Sequence, residues 1–166
     1  MYVGIASDHR GVVLRRRLTD WLEANGYAVW DAGPHDTARV DYPDFAGQVA
    51  RRVAAGTLDR GVLICGTGIG MAIAANKWTG VRAAPVDHRR TAEMSRRHND
   101  INIVCYGADL LEPERAIEYL RIFLETPFDG GRHAARIAML EPVDGHRTGE
   151  AGEVGKPGGV GRPVSS

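Results

Sequence analysis

The chain has 166 residues, 43% hydrophobic and 25% charged, and a formal net charge of +0. That length suits one sizeable core, and the composition excludes global disorder. The balanced charge lacks the basic excess of a non-specific nucleic-acid binder and gives no handle on anionic lipid, so neither nucleic acid nor membrane is an expected partner.

Tyr2–Ala6 reads as a short strand. From Arg10 to Asn25, Val13, Leu14, Leu18, Trp21 and Leu22 recur at helical spacing, and Gly26 follows as a C-cap. Tyr27–Trp30 is a second strand. Tyr42–Ala55 places Phe45, Val49 and Val53 on one helical face. Gly61–Cys65 is apolar without alternation, as a strand covered on both faces would be. A glycine loop, Gly66-Thr67-Gly68-Ile69-Gly70, leads into a helix over Met71–Lys77. Val81–Val86 reads as a strand, Arg89–Arg97 as a helix and Ile101–Tyr106 as a fifth strand. Pro113–Leu124 and Arg132–Leu140 read as helices, with Gly130-Gly131 breaking the chain between them.

This alternation predicts an α/β fold, a five-stranded parallel sheet with helices on both faces. Ligands in such folds bind beyond the carboxyl ends of the strands. Four segments are thereby singled out: Ser7-Asp8-His9, the loop before Tyr42, Cys65 to Gly70, and the segment around His98. Residues 1–142 form the expected domain. Residues 143–166 are rich in Gly and Pro and are expected to be a flexible tail. The two cysteines give no disulfide framework, the N-terminus shows no signal-peptide pattern, and no apolar run has membrane-spanning length. A reducing cytoplasm is the expected compartment.

The glycine loop is the strongest local signal. Its backbone N–H groups can face an anion at the start of a helix. It lacks the Gly-Lys-Ser/Thr of a Walker loop, and Met71 stands where a dinucleotide fingerprint needs glycine. Asp87, about 20 residues beyond, keeps a weakened dinucleotide reading open. The plainer alternative is a tight strand–helix turn. Cys65 abuts the loop and is a candidate base or nucleophile, against the commoner role of a small buried hydrophobe. Cys105 is assigned to that commoner role. Asp8-His9 can bind a polyol and carry protons, or cap a helix. His98-Asn99 offers an imidazole beside an amide, or a polar turn. Arg132 and Arg136 share a helical face and could grip one phosphate, although two arginines alone favour a solvated surface. No histidine–carboxylate spacing resembles a metal site, so no metal is expected. Lys77 and Lys156 are the only lysines, which disfavours imine chemistry.

Together, Ser7-Asp8-His9, Asp41-Tyr42-Pro43-Asp44, Cys65 to Met71, Ala74-Ala75-Asn76-Lys77, Arg97-His98-Asn99-Asp100 and Gly130-Gly131-Arg132-His133 with Arg136 resemble the type B ribose-5-phosphate isomerase family. That family includes galactose-6-phosphate and allose-6-phosphate isomerases. The resemblance covers residues 1–140. It implies a Rossmann-like three-layer sandwich and a homodimer, or dimer of dimers, with active sites shared between subunits. It also implies cofactor-free aldose–ketose isomerisation through a cis-enediolate. Ribose 5-phosphate to ribulose 5-phosphate is the leading reaction.

By the same resemblance, Cys65 removes the C2 proton, Thr67 assists and His98 promotes ring opening. Gly66, Gly68, Ile69 and Gly70 lie in the backbone cradle of the enediolate. Asp8, Asn99 and Tyr42 lie in sugar-binding motifs, and His9, Arg132 and Arg136 match phosphate contacts. One position departs from the pattern: Asp109 stands where the family usually has an arginine. Either Arg10 compensates or the substrate's phosphate end differs. Alternative readings are an isomerase of a different sugar or hexose phosphate, a non-catalytic sugar-phosphate-binding module, and a nucleotide-binding redox protein.

Overall fold

The computed structural model describes residues 1–140. The expected tail, 143–166, lies outside the described residues. Five strands form one parallel sheet: β1 (Tyr2–Ser7), β2 (Ala28–Asp31), β3 (Arg60–Cys65), β4 (Ala83–Pro85) and β5 (Ile103–Gly107). Their order across the sheet is β2-β1-β3-β5-β4. The helices are α1 (Val12–Ala24), α2 (Tyr42–Ala54), α3 (Ile69–Ala75), α4 (Arg89–Arg97), α5 (Pro113–Glu125) and α6 (Arg132–Ala138). Among the described residues, no helix is long and apolar enough to cross a membrane.

Alternation along the strands builds two cores. Val3, Ile5, Val62, Ile64, Val104 and Tyr106 face α1, α4 and α5, where Leu18, Leu22, Ala92, Leu120 and Phe123 meet them. Ala6, Leu63, Cys65, Ile103 and Cys105 face α2 and α3, where Val49, Val53, Met71 and Ala75 cover them. This is the expected three-layer α/β sandwich. The central strands are covered on both sides, which explains their uninterrupted apolar character.

The strand ends are in register where it matters. Ser7 pairs with Ile64, and Cys65 with Gly107. Loops leaving β1, β3 and β5 therefore emerge side by side. Several boundaries differ from the sequence expectation. α3 begins at Ile69 rather than Met71, because Gly68 at φ 77° turns the chain and its carbonyl already accepts the Ala72 N–H. Only Gly tolerates that dihedral without strain, and a Cβ there would lie 3.1 Å from the Tyr106 backbone. β4 shortens to Ala83–Pro85 at the sheet edge. There the Asn76 amide satisfies both the N–H (2.8 Å) and the carbonyl (2.7 Å) of Ala83, as a neighbouring strand would.

α6 is the exception to the layering. None of its residues is buried, and Met139 and Leu140 just beyond it are 82% and 67% exposed.

Candidate functional site

β1, β3 and β5 end together, and the chain leaving each contributes one wall of a site. After β1, Asp8 is buried. Its Oδ1 accepts the N–H groups of Arg10 (2.8 Å) and Gly11 (3.2 Å), so it closes the turn into α1. Among the described residues, its Oδ2 carries no hydrogen bond. Asp8 does not cap α1, whose N-cap is Gly11; one of its oxygens closes the turn before the helix, and the other is left for a ligand. His9 lies to one side, where its Nδ1 approaches the Val40 N–H at 3.5 Å.

After β3, Cys65 points into the α2–α3 layer with its thiol reaching the loop. Its Sγ accepts the N–H of Gly68 at 3.2 Å. Thr67 Oγ1 accepts the Ile69 N–H at 3.4 Å, and Thr67 itself is exposed. The loop folds back over the end of β5, since Ala108 N–H donates to Cys65 O (2.8 Å) and Asp109 N–H to Gly66 O (3.1 Å). Gly107 lies so close beneath it that a Cβ would stand 3.0 Å from the Thr67 backbone. Tyr42, at the start of α2, lays its ring on Gly70, where a Cβ would meet Tyr42 Cζ at 2.8 Å. Glycine serves close approach at Gly70 and Gly107, and turning at Gly68. Asp8, His9, Tyr42, Cys65 and the loop Gly66, Thr67, Gly68, Ile69, Gly70 are therefore one constellation.

Arg10 and Asp109, which the departure at position 109 singled out, meet at its rim. Arg10 Nη2 donates to Asp109 Oδ2 at 2.5 Å, across Gly66. The carboxylate holds the Arg10 pKa above its ordinary value, first by hydrogen bonding and then by charge. Cys105 is fully buried beneath, and burial pushes its thiol far up, in keeping with a packing role.

His98 and Asn99 are not at this end, contrary to the expectation that the His98 segment lies beyond the carboxyl ends of the strands. The reason is the direction of α4. It starts after β4 and runs back along the sheet, so its C-cap, His98, lies at the amino end. Nearby, Gly61 N–H donates to Asn102 O as β3 and β5 begin. Gly61 pairs with Ile103 and Cys65 with Gly107, so the two ends are about 13 Å apart along the strands. Arg132 and Arg136 on α6 join His98 there.

The amino-end cluster contains groups that spacing did not reveal. The His98 and His133 rings stack in parallel, 4.2 Å between centroids and 6° between planes. Asp129 completes a group whose ligand-capable atoms all lie within 4.8 Å. The fold thus assembles two histidines and a carboxylate that distant sequence positions concealed. The donor set nevertheless fits a cation poorly. Both Asp129 oxygens are engaged by Arg97 Nε at 3.1 Å, and parallel rings direct their in-plane lone pairs side by side rather than at one point. Burial, His98, Arg132 and Arg136, in that order, lower the His133 pKa, with Asp129 opposing. Stacked imidazoles within reach of the Arg132 and Arg136 charges suit an anion. His133 could have been found in the sequence, because it adjoins Arg132 and precedes Arg136 in one short helix. Asp129 gave no such signal.

A family model described as Ribose/Galactose Isomerase matches residues 3–140. The ribose-5-phosphate isomerase B of Escherichia coli (strain K12) is 37% identical over 145 residues, covering 87% of this chain and 97% of that protein. A ribose-5-phosphate isomerase B structure from Clostridium thermocellum is similar with a TM-score of 0.83 and 46% identity, over 84% of this chain and 95% of that one. A Mycoplasma genitalium ribose-5-phosphate isomerase B with bound ribulose-5-phosphate aligns with a TM-score of 0.81 and 40% identity, over 84% of this chain and 93% of that one. With its five-stranded parallel sheet, its glycine loop after Cys65 and a match that runs through α6, the chain belongs to the ribose/galactose isomerase family.

Proposed function

We propose that the chain interconverts ribose 5-phosphate and ribulose 5-phosphate, as a cofactor-free sugar phosphate aldose–ketose isomerase. The observation that carries the chemistry is the Cys65 thiol, held by the Gly68 N–H at 3.2 Å, at the mouth of an amide-lined loop and beside the buried Asp8. In the proposed step, Cys65 as thiolate takes the C2 proton of the open-chain aldose. The bonding pair forms the C1–C2 double bond of an enediolate. The proton is returned to C1, and the hydroxyl proton moves from O2 to O1 with help from Thr67. Backbone N–H groups between Gly66 and Gly70 stabilise the developing oxyanion. A positioned base of this kind contributes about 10²- to 10⁴-fold.

His98 is assigned to ring opening, and Arg132, Arg136 and His9 to the phosphate. Because His98 sits at the opposite end of the sheet from Cys65, one chain cannot present both to one small sugar. The reading therefore requires a homodimer in which His98, Asn99, Arg132 and Arg136 of one copy face Cys65 of the other. Two surfaces support it. α6 has no buried residue, and a helix of seven residues is marginal without a packed face. Ile69 and Ile73 on α3 and the neighbouring Trp78 are exposed at 55%, 57% and 39% beside the glycine loop. A cytoplasmic setting, reducing enough to keep Cys65 a thiol, completes the reading.

A coupled isomerase assay across pentose and hexose phosphates, with the unphosphorylated sugars alongside, tests it. Highest kcat/KM on ribose 5-phosphate is expected. Higher turnover of a 6-phosphohexose would reassign the substrate, and no turnover of any would overturn the isomerase reading.

A further inference from the structure

The turn after β1 sends two adjacent side chains to opposite sides of the site. His9 leans toward Val40. Arg10 crosses Gly66 toward the loop after β5, where Asp109 receives it. Exposed ion pairs between long side chains usually wander and contribute little. This one is anchored at both stems. The Arg10 N–H donates to the buried Asp8 at 2.8 Å, and the Asp109 N–H donates to Gly66 O at 3.1 Å. Its two ends are thereby tied to the two loops that flank the Cys65 cradle.

The guanidinium so held is not used up. Its side chain is 56% exposed, and among the described residues only Asp109 accepts a hydrogen bond from it. A guanidinium carries five N–H donors in a rigid plane. With one terminal nitrogen held by a carboxylate and the side chain more than half exposed beside Gly66, the remaining donors are open to a ligand. Such an arrangement suits the tetrahedral oxygens of a phosphoryl group, which arginine grips bidentately.

We propose that Arg10 is a phosphate-binding residue on the Cys65 half of the site, positioned by Asp109, and that it sets the preference for phosphorylated over unphosphorylated sugars. The identity of the phosphate as part of a sugar rests on the isomerase reading; the anion site itself does not. Asp109 acts through Arg10 and not on the substrate. Its negative charge, beside a bound phosphate, is tolerated because the guanidinium lies between them.

Titration of the full-length protein with inorganic phosphate by calorimetry tests the site without turnover. Arg10→Met is expected to raise the dissociation constant about tenfold or more, the loss of one charge-assisted fork, with Arg10→Lys intermediate. Asp109→Ala should raise it severalfold, because the freed guanidinium must be ordered by the ligand. Circular dichroism confirms folding of each variant.

In parallel, Arg10→Met should lower kcat/KM for ribose 5-phosphate chiefly through KM, and by a larger factor than for ribose. A wild-type protein that does not bind phosphate, or an Arg10→Met dissociation constant within twofold of wild type, would overturn the proposal. Tighter phosphate binding by Asp109→Ala would overturn the positioning role and make Asp109 a repulsive group. Arg10-dependent phosphate binding without any isomerase activity would support the anion site and defeat only the isomerase reading.

Discussion

The two ends of the sheet carry the candidate site residues in different ways. At the carboxyl end, Asp8, Cys65 and Gly68 are buried, and their groups are fixed by short backbone hydrogen bonds between the ends of β1, β3 and β5. At the amino end, Asn99, Arg132 and Arg136 stand exposed on a helix cap and on a helix with no buried residue. The first end is preorganised by its own chain. The second presents charge that nothing covers among the described residues. A reaction needs the first quality where a proton moves between fixed atoms, and tolerates the second where a phosphate is caught.

The largest effect expected from disturbing this contrast is at the preorganised end. Cys65→Ala should lower kcat by about 10²- to 10⁴-fold, the share of a positioned general base, with the far-ultraviolet circular dichroism unchanged. A variant that keeps most of its kcat would remove Cys65 as the base and leave the carboxyl end as a binding cradle only.

Joining the two ends is the next test. His98→Asn should impair cyclic ribose 5-phosphate more than substrate delivered in open-chain form; equal losses would remove the ring-opening role. Co-refolding Cys65→Ala with His98→Asn then distinguishes a shared site from one within a chain. In a two-fold dimer, half of the assemblies are mixed, and each mixed assembly holds one site with both residues intact. Activity on the cyclic sugar should recover to about a quarter of wild type, well above the sum of the parents. No recovery would place both residues in one chain's site, against the separation of Cys65 and His98 along the strands.

Much of this was legible in the sequence. The strand order of burial, the Gly-rich loop after Cys65 and the helical face holding Arg132 and Arg136 follow from local periodicity and turn chemistry. His98 is legible as well: it precedes β5, and in a parallel sheet the segment before a strand lies at that strand's amino end, so the carboxyl-end expectation for it conflicts with the parallel sheet predicted alongside it. Arg10 with Asp109, and His98 with Asp129 and His133, are pairings across long sequence separations, set by parallel crossovers that no spacing rule sees. Even the glycines were half legible. A turn accounts for Gly68 with its positive φ, whereas Gly70 and Gly107 are explained by the Tyr42 ring and the Thr67 backbone that approach them.

That close approach gives a milder way to loosen the preorganised end. In Gly70→Ala, the new Cβ would lie 2.8 Å from Tyr42 Cζ, so the ring or the loop must move. The cost in stability should be about 1 kcal/mol or less, because Tyr42 is 39% exposed and its ring can swing aside, read from urea unfolding. KM should rise as the Tyr42 ring leaves the loop. Gly80→Ala is the control: its Cβ would meet nothing within 4 Å, but its φ of +81° adds backbone strain alone. A similar KM for both variants would show that Tyr42 is not part of the sugar-binding wall.

The smallest effect belongs to the amino end and is read by pH. Burial, then His98, Arg132 and Arg136, lower the His133 pKa from its ordinary value of 6.5. The unfolded chain therefore binds more protons than the folded one as pH falls through this region. The neutral-imidazole contribution to stability is fully present above about 6.5 and is lost as pH falls through the lower folded-state value. Since His133 is partly exposed, solvent screens the effect and the melting temperature should fall only slightly. Its ring resonance in a proton NMR titration is the sharper measure. The midpoint should lie below that of a free histidine, and replacing Arg132 and Arg136 by Met should raise it. Added phosphate should raise it as well, because an anion between the arginines favours the imidazolium. A midpoint unmoved by phosphate would mean that this cluster receives no anion, and the division of labour between the two ends would fail at its weaker half.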